Sequence, residues 1–350
     1  MDKKWIDSLV DPSDKEELEL DTHIDSGDNI IEGFLNNKRH YIQYEIRDGI
    51  PRFEESKDNT TLSFNNKWKE NFSKTFGSTL EEKNHLLEQL LYIFHLKEES
   101  QLQDVFKDGT NCLNAGCGLG WSEYLFNVNK YCNRFAIDIS TSVDIAYEKT
   151  KDMENVCVVN GSIFHLPFRE KFFDVIFSNG VIHHTGNSLH AFQSLSSSLK
   201  SGGLLAIYIY CNKPFMRGVL DREIREITVN MSNKHCMDFS EQMTELGKSF
   251  DNIKQELVIN KDIPLLGIKK GGYNIQRFIY DHFVKCYYNK KLGDEISTIT
   301  NFDWYSPEFV NFYDEDEVRG FFKLYGFKDI EIIQPRGWEH SGYFAKGIKI

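Results

Sequence analysis

An α/β fold built on an open, mostly parallel sheet is predicted for this chain of 350 residues, and three observations carry the prediction. The first is Asn111-Cys112-Leu113-Asn114-Ala115, which has the pattern of a buried strand and runs straight into Gly116-Cys117-Gly118-Leu119-Gly120. Glycine has no Cβ, so the chain can turn sharply out of the strand and let a ligand approach the main chain before a helix starts at Trp121. The second is Arg134-Phe135-Ala136-Ile137-Asp138, a short apolar strand ending in an acid about twenty residues downstream, placed to accept both hydroxyls of a ribose. The third is the regular recurrence of strand and turn segments up to Tyr208. A nicotinamide fingerprint would need its third glycine at position 121, which is Trp121, so the motif is GxGxG and the dinucleotide reading loses ground.

The elements follow in order. Residues 1–56 read as a small β-rich module, closed by the turn chemistry of Asp48-Gly49-Ile50-Pro51. Glu54 to Thr61 is wholly polar and reads as a linker. Phe64 to Phe72 and Leu80 to Phe94 have helical apolar spacing, with Leu86, Leu87, Leu90, Leu91 and Phe94 on one face, so 57–106 is linker and helices. The ligand-binding core is 107–211. Besides its first two strands it holds the loop Asn160 to Phe168, the strand and loop Phe173 to Thr185, and the turn and strand Leu199 to Tyr208. Residues 212–305 interrupt it with roughly ninety residues rich in charge and helix formers, too many for an ordinary loop. They include Arg217, Arg222, Arg225, His235, Tyr273, Arg277, Tyr280 and His282. A helical insertion capping the carboxyl ends of the strands is expected, because open α/β sheets bind ligands there. Asn301 to Glu308 returns the chain. Residues 306–350 then give a helix from Asp314 to Tyr325, ended by Gly326, and a hairpin of Lys328 to Ile333 with Gly342 to Ile350.

These segments, in this order, resemble the class I S-adenosylmethionine-dependent methyltransferases. The likeness is most specific over residues 111–210. It implies a Rossmann-like sheet of seven strands, mostly parallel with an antiparallel last strand, and S-adenosyl-L-methionine as cofactor, with S-adenosyl-L-homocysteine as product. Carried over, Gly116, Cys117, Gly118 and Gly120 line the methionine and ribose, Asp138 holds the ribose hydroxyls, Ile139 lies beside adenine, and Ser162 and Ile163 meet the adenine edge. Asn179 offers its backbone carbonyl near the methionine amine. Two positions depart from the pattern: Asn114 and Ser162 stand where the family usually has acids, leaving neutral contacts. The resemblance also lets Trp68, Phe72 and the turn Thr75 to Thr79 cover the methionine end. In the first module, Leu9 to Asp14, Ile31 to Tyr41 and Tyr44 to Phe53 resemble the zinc ribbon of the methyltransferase-activator family. Asp11, Asp14, Asn37 and His40 occupy its thiolate positions, a poor donor set for structural zinc, so a ribbon that has lost its metal is expected, with a weak hard-metal site as the alternative.

Composition sets limits. Against 41 Lys+Arg stand 53 Asp+Glu, a formal charge of −12 that repels phosphate backbones and argues against a nucleic-acid substrate. No apolar run approaches the roughly twenty residues that span a bilayer, and the N-terminus opens no signal peptide, so a cytoplasmic protein without membrane association is expected. The 7 cysteines form no CxxC pair, which supports neither a disulfide framework nor a cysteine-rich metal site. A sulfonium methyl is already activated, so the protein must align donor and acceptor, exclude water and remove a proton where one is present. His183 and His184, just past the fourth core strand, are the candidate general bases, and His184 leads. Tyr208, Tyr210, Arg217 and Tyr305 are candidate acceptor contacts, the arginine suited to an anionic group. The leading reading is a small-molecule methyltransferase working in a capped pocket. The alternatives are a protein or tRNA methyltransferase recruiting through the ribbon, and a non-catalytic cofactor-binding protein. The assembly is open, a homodimer included.

Overall fold

The computed structural model describes residues 1–54, 77, 79–126, 131–338 and 340–350. The expected helix at Phe64 to Phe72, with Trp68, and the turn residues Thr75, Phe76 and Ser78 lie outside the described residues. Two compact units are formed, one by Met1–Ile209, Tyr313–Pro335 and Tyr343–Ile350, the other by Tyr210–Phe312 and Arg336–Gly342.

In the first unit, β1 (Glu19–Ser26), β2 (Asn29–Asn37) and β3 (Ile42–Arg47) form an antiparallel meander, and Asp48-Gly49 turns β3 into β4 (Ile50–Arg52). Both turn residues have positive φ, 53° and 76°, which is the demand of a two-residue hairpin loop and the reason Asp-Gly serves there. The predicted core strands follow as β5 (Asn111–Ala115), β6 (Asn133–Asp138), β7 (Val156–Asn160), β8 (Phe173–Asn179) and β9 (Leu199–Tyr210). All of β7 is buried, as a strand covered on both faces must be. In the second unit β10 (Leu257–Ile259) and β11 (Gly271–Tyr273) form a separate small hairpin. The closing hairpin is β12 (Phe327–Ile333) with β13 (Gly342–Lys349), antiparallel as expected.

The sheet order is β1-β2-β3-β4-β7-β6-β5-β8-β9-β13-β12, with β4-β7-β6-β5-β8-β9 parallel to one another. Seven strands, β7 through β12 in that order, are the expected Rossmann-like core. The difference lies at the edge: the N-terminal strands continue the same sheet, because β4 pairs with β7 through Arg52 and Asn160. Beneath it, Phe135 packs edge-on against Trp5 at 5.1 Å and Phe173 at 5.4 Å, so the first module and the core share hydrophobic contacts. The helix Leu80–Phe94 starts on a capping box of Thr79 and Glu82 and buries Leu86, Leu90, Ile93 and Phe94, while Leu87 and Leu91 are half-buried. Asp314 and Glu317 cap the helix Glu315–Leu324, and Gly326 follows at φ 72°.

The second unit is mainly helical: Phe215–Thr228, Asn233–Asp251, Ile275–His282 and Gly293–Tyr305. The segment Asn301 to Tyr305 is the last turn of a helix, with Phe302, Trp304 and Tyr305 in this unit's own core. Its apolar spacing is too short to separate from a loop by pattern alone.

Candidate functional site

The glycine turn is built as the sequence implies. Gly116, Gly118 and Gly120 have φ of 83°, 53° and 67°, which L side chains rarely adopt. At Gly116 there is also no room, since a Cβ would stand 2.3 Å from Val181 Cγ2 in the loop after β8. The main-chain N–H groups of Gly116 and Cys117 donate to the Ile137 carbonyl at 2.8 and 2.9 Å, tying the turn to the end of β6. There Asp138 accepts from Gly118 N–H at 2.8 Å through Oδ2, and from the Ser140 N–H at 2.8 Å and hydroxyl at 2.6 Å through Oδ1. A carboxylate fixed by charge-assisted bonds beside a main-chain turn can position hydroxyl groups of a ligand.

Asn160 completes this end of the site. Its Nδ2 lies 3.0, 3.1 and 3.3 Å from the carbonyls of Asp138, Ile139 and Ser140, clamping the loop after β6. Neither Ser140 nor Asn160 is singled out by sequence reasoning. Ser140 had a local signal, because an acid followed two residues later by its backbone donor is an Asx turn. Asn160 had none, since its partners come from the neighbouring strand. Ser162 and Ile163 are buried just beyond it, and the Ser162 hydroxyl accepts from Phe164 N–H at 3.2 Å.

Asn114 faces the core. Its Nδ2 donates to Ser122 Oγ at 2.8 Å and to Glu123 Oε1 at 3.1 Å. Glu123 is buried, which pushes its pKa up, although Arg134, Ser122 and Asn114 work against that shift. The acid absent at 114 is thus accompanied by a buried acid nine positions on. Sequence pattern hides this, because Glu123 reads as the exposed face of a new helix.

At the end of β8, Asn179 Nδ2 donates to Gln89 Oε1 at 3.3 Å, and Gln89 Nε2 lies 2.9 Å from His85 Nε2. Burial pushes the His85 pKa down, which favours the neutral imidazole. His85 and Gln89 were overlooked because their spacing of one helical turn reads as an ordinary surface pair. His183 and His184 sit in the short 3-10 turn Ile182–His184, their rings 4.4 Å apart, with exposures of 0% and 9%. Tyr208 stacks on Phe344 at 4.7 Å in the first unit. The other candidate acceptor contacts belong to the second unit. Tyr210 stacks with Phe312, Arg217 pairs with Asp221 at 2.5 Å, and the Tyr305 hydroxyl donates to the Lys285 carbonyl at 2.7 Å.

In the first module Asp11, Asp14, Asn37 and His40 converge. Asn37 Nδ2 donates to Asp11 Oδ2 at 2.8 Å and reaches both oxygens of Asp14 at 3.3 Å, and His40 Nε2 lies 3.0 Å from Asp14. Ser13 and the Tyr44 hydroxyl also donate to Asp11. Burial alone would raise the Asp11 pKa, but these bonds prevail and hold it below the usual 3.8. Among the described residues no group of His, Cys, Asp and Glu suited to a metal occurs, and no helix is long and apolar enough to cross a membrane.

Residues 113–207 match the family model described as a methyltransferase domain. The demethylmenaquinone methyltransferase of Staphylococcus carnosus is 22% identical over 247 residues, 69% of this chain and 78% of that protein. Its counterpart in Staphylococcus aureus strain JH9 is 31% identical over 102 residues, 28% of this chain and 42% of that protein, so this match spans under half of the relative. Among solved structures, a SAM-dependent methyltransferase from Aquifex aeolicus gives a TM-score of 0.39 at 15% identity, covering 77% of this chain and 98% of that one.

Proposed function

We propose that this chain, whose core is an S-adenosylmethionine-dependent methyltransferase domain, transfers the methyl group to a small-molecule acceptor. The observation that carries the reading is the pairing of the glycine turn with Asp138, locked together by the Gly118 N–H. The residues fit the cofactor: three positive-φ glycines bring main chain to the surface of the turn, and Asp138 stands at the strand end where a ribose diol is held. When bound, the cofactor supplies a methyl on a sulfonium, ready for in-line displacement. In this reading Asp138 holds the ribose hydroxyls, Ser140 and Asn160 keep its carboxylate and the following loop in place, and Ile139, Ser162 and Ile163 border the adenine. The turn residues Gly116, Cys117, Gly118 and Gly120 line the methionine and ribose, while Asn179, fixed through Gln89, presents its carbonyl to the amine. Asn114 contributes by bracing the turn from inside. His184, with His183 beside it, takes the acceptor proton when there is one. The acceptor is a small molecule because the relative matched over 69% of this chain is named a demethylmenaquinone methyltransferase and the net charge opposes nucleic acid.

We also infer that β1–β4 is a ribbon whose metal has been replaced by hydrogen bonds. The cluster does not fit zinc, because the Asn37 amide directs a donor at two carboxylates where a metal would need a further ligand. A labelled-methyl assay tests the function: the protein is incubated with labelled cofactor and separate small-molecule, protein and RNA fractions of a cell extract. Label in the small-molecule fraction is expected. Label confined to protein or RNA would overturn the acceptor class, and tight cofactor binding with no label in any fraction would overturn catalysis.

A further inference from the structure

The small hairpin of β10 and β11 carries an apolar tip on a basic base. In the loop between its strands Ile263 and Ile268 pair, their N–H groups donating to each other's carbonyls at 2.7 and 3.2 Å. That bridge closes the turn Pro264-Leu265-Leu266-Gly267, in which Gly267 has φ 67°. Proline fixes the start of such a turn and glycine supplies its left-handed end, so the tip has a defined shape. Its side chains do not pack inward: Leu265 is 77% and Ile263 40% exposed, and Pro264 is exposed as well. A Cβ on Gly267 would stand 3.7 Å from Pro214 Cβ, and the next residue, Phe215, is 56% exposed. Single exposed apolar side chains are ordinary, but a group of them marks a contact surface. The polar neighbours indicate its partner. Lys261, Lys269 and Lys270 stand within two residues of the bridge, all exposed and without an ion pair among the described residues. Asp262, the acid beside them, accepts from the Lys270 main-chain N–H at 2.6 Å. A local surplus of positive charge on a chain of formal charge −12 fits an anionic partner. A second copy of the chain fits poorly, because four side chains fall short of the about 800 Å² per partner of a stable interface and the lysines would face their own copies. Apolar side chains ringed by lysine suit the boundary of a bilayer, where headgroup phosphates lie beside acyl chains.

We propose that this tip rests on an anionic lipid surface, with Leu265, Ile263 and Phe215 dipping among the headgroups and Lys261, Lys269 and Lys270 meeting their phosphates. The lack of a membrane-spanning run predicts no membrane association, but a tip lying in the interface needs no such run. Acids elsewhere on the chain are screened beyond a Debye length of about 8–10 Å, so the total charge does not prevent the contact. The contact does not depend on the methyl-transfer reading, so it is measured on the full chain without cofactor, by sedimentation with vesicles. Binding is expected to vesicles of phosphatidylcholine and phosphatidylglycerol in equal parts, weakening as salt rises, and not to phosphatidylcholine alone. Leu265→Asp should weaken it by about 10-fold or more. Lys269→Gln together with Lys270→Gln should weaken it by about 10- to 30-fold, near 5-fold for each lysine. Lys290→Gln together with Lys291→Gln makes the same change of charge at exposed positions outside the hairpin and should leave binding unchanged. All of these side chains are exposed, so melting temperatures should match wild type. Four results would overturn the proposal: no binding to the mixed vesicles, an equal loss in the Lys290 and Lys291 pair, wild-type binding by Leu265→Asp, or a wild-type dimer that Leu265→Asp dissociates without lipid.

Discussion

Replacing Gly116 by alanine is expected to cost about 2–5 kcal/mol of stability, from two causes that can be separated. The residue has φ 83°, where an L side chain costs roughly 1–2 kcal/mol. Its new Cβ would also stand 2.3 and 2.7 Å from the two γ carbons of Val181, an overpacking of about 1–3 kcal/mol. Val181→Ala removes both carbons. Alone it should cost about 1 kcal/mol, since the side chain is only half-buried. In the double variant the two γ-carbon clashes should disappear, while a 2.9 Å approach to the Cβ of residue 181 and the backbone strain remain, so the pair should be more stable than the sum of its parts by about 1–2 kcal/mol. Urea unfolding of the four proteins, with unchanged slopes, measures this coupling. Additive losses would show that Val181 does not fill the space a Cβ would need. Wild-type stability of Gly116→Ala would refute both parts.

Asp138→Ala should weaken binding of S-adenosylmethionine by roughly 10- to 100-fold, a loss of about 1.5–3 kcal/mol; unchanged affinity by calorimetry would remove Asp138 from the site. Asp11→Asn should destabilise the protein at neutral pH. Because the Asp11 pKa is held below 3.8, that deficit should be complete above about pH 4 and shrink as pH falls through the lower folded value; a deficit independent of pH would contradict an ionised Asp11. Elemental analysis should find no stoichiometric zinc, and chelator should leave the melting temperature unchanged. For an acceptor that carries a proton, His184→Ala should lower kcat by about 10² to 10⁴ with little change in cofactor affinity. Near-wild-type rates in both His184→Ala and His183→Ala would take histidine out of the mechanism.

What could be read from the sequence was local. Strands β5, β6 and β8 announce themselves by apolar runs flanked by turn residues, and the acid closing β6 lies at the spacing a ribose contact requires. The closing hairpin was legible for the same reason. Contacts between segments far apart were not. Nothing in Ile50-Pro51-Arg52 foretells a parallel pairing with Asn160, because a strand of 3 residues has too few positions to show a period. The site has the same division. The glycines and Asp138 could be named, but Asn160, Gln89 and Glu123 act across space, and a polar residue facing a distant carbonyl looks in sequence like any other. Arg217 shows the same limit from the other side: its charge suggests an acceptor contact, while its pairing with Asp221 and the Tyr280 carbonyl has no signal in the sequence.

The junction of β4 with β7 bears on the order of assembly. The first strands of the chain leave the ribosome early, yet the strand that receives them ends at Asn160, more than a hundred residues later. Until then β4 has an open edge, and an unpaired edge is where nascent chains associate wrongly. Closing so long a loop delays the pairing further, since distant contacts form slowly. Asn160 then serves twice, accepting β4 on one side and clamping the loop that carries Asp138 on the other. Completion of the sheet edge and ordering of the ribose-side loop therefore converge on one residue, so a chain stalled before β7 would have neither.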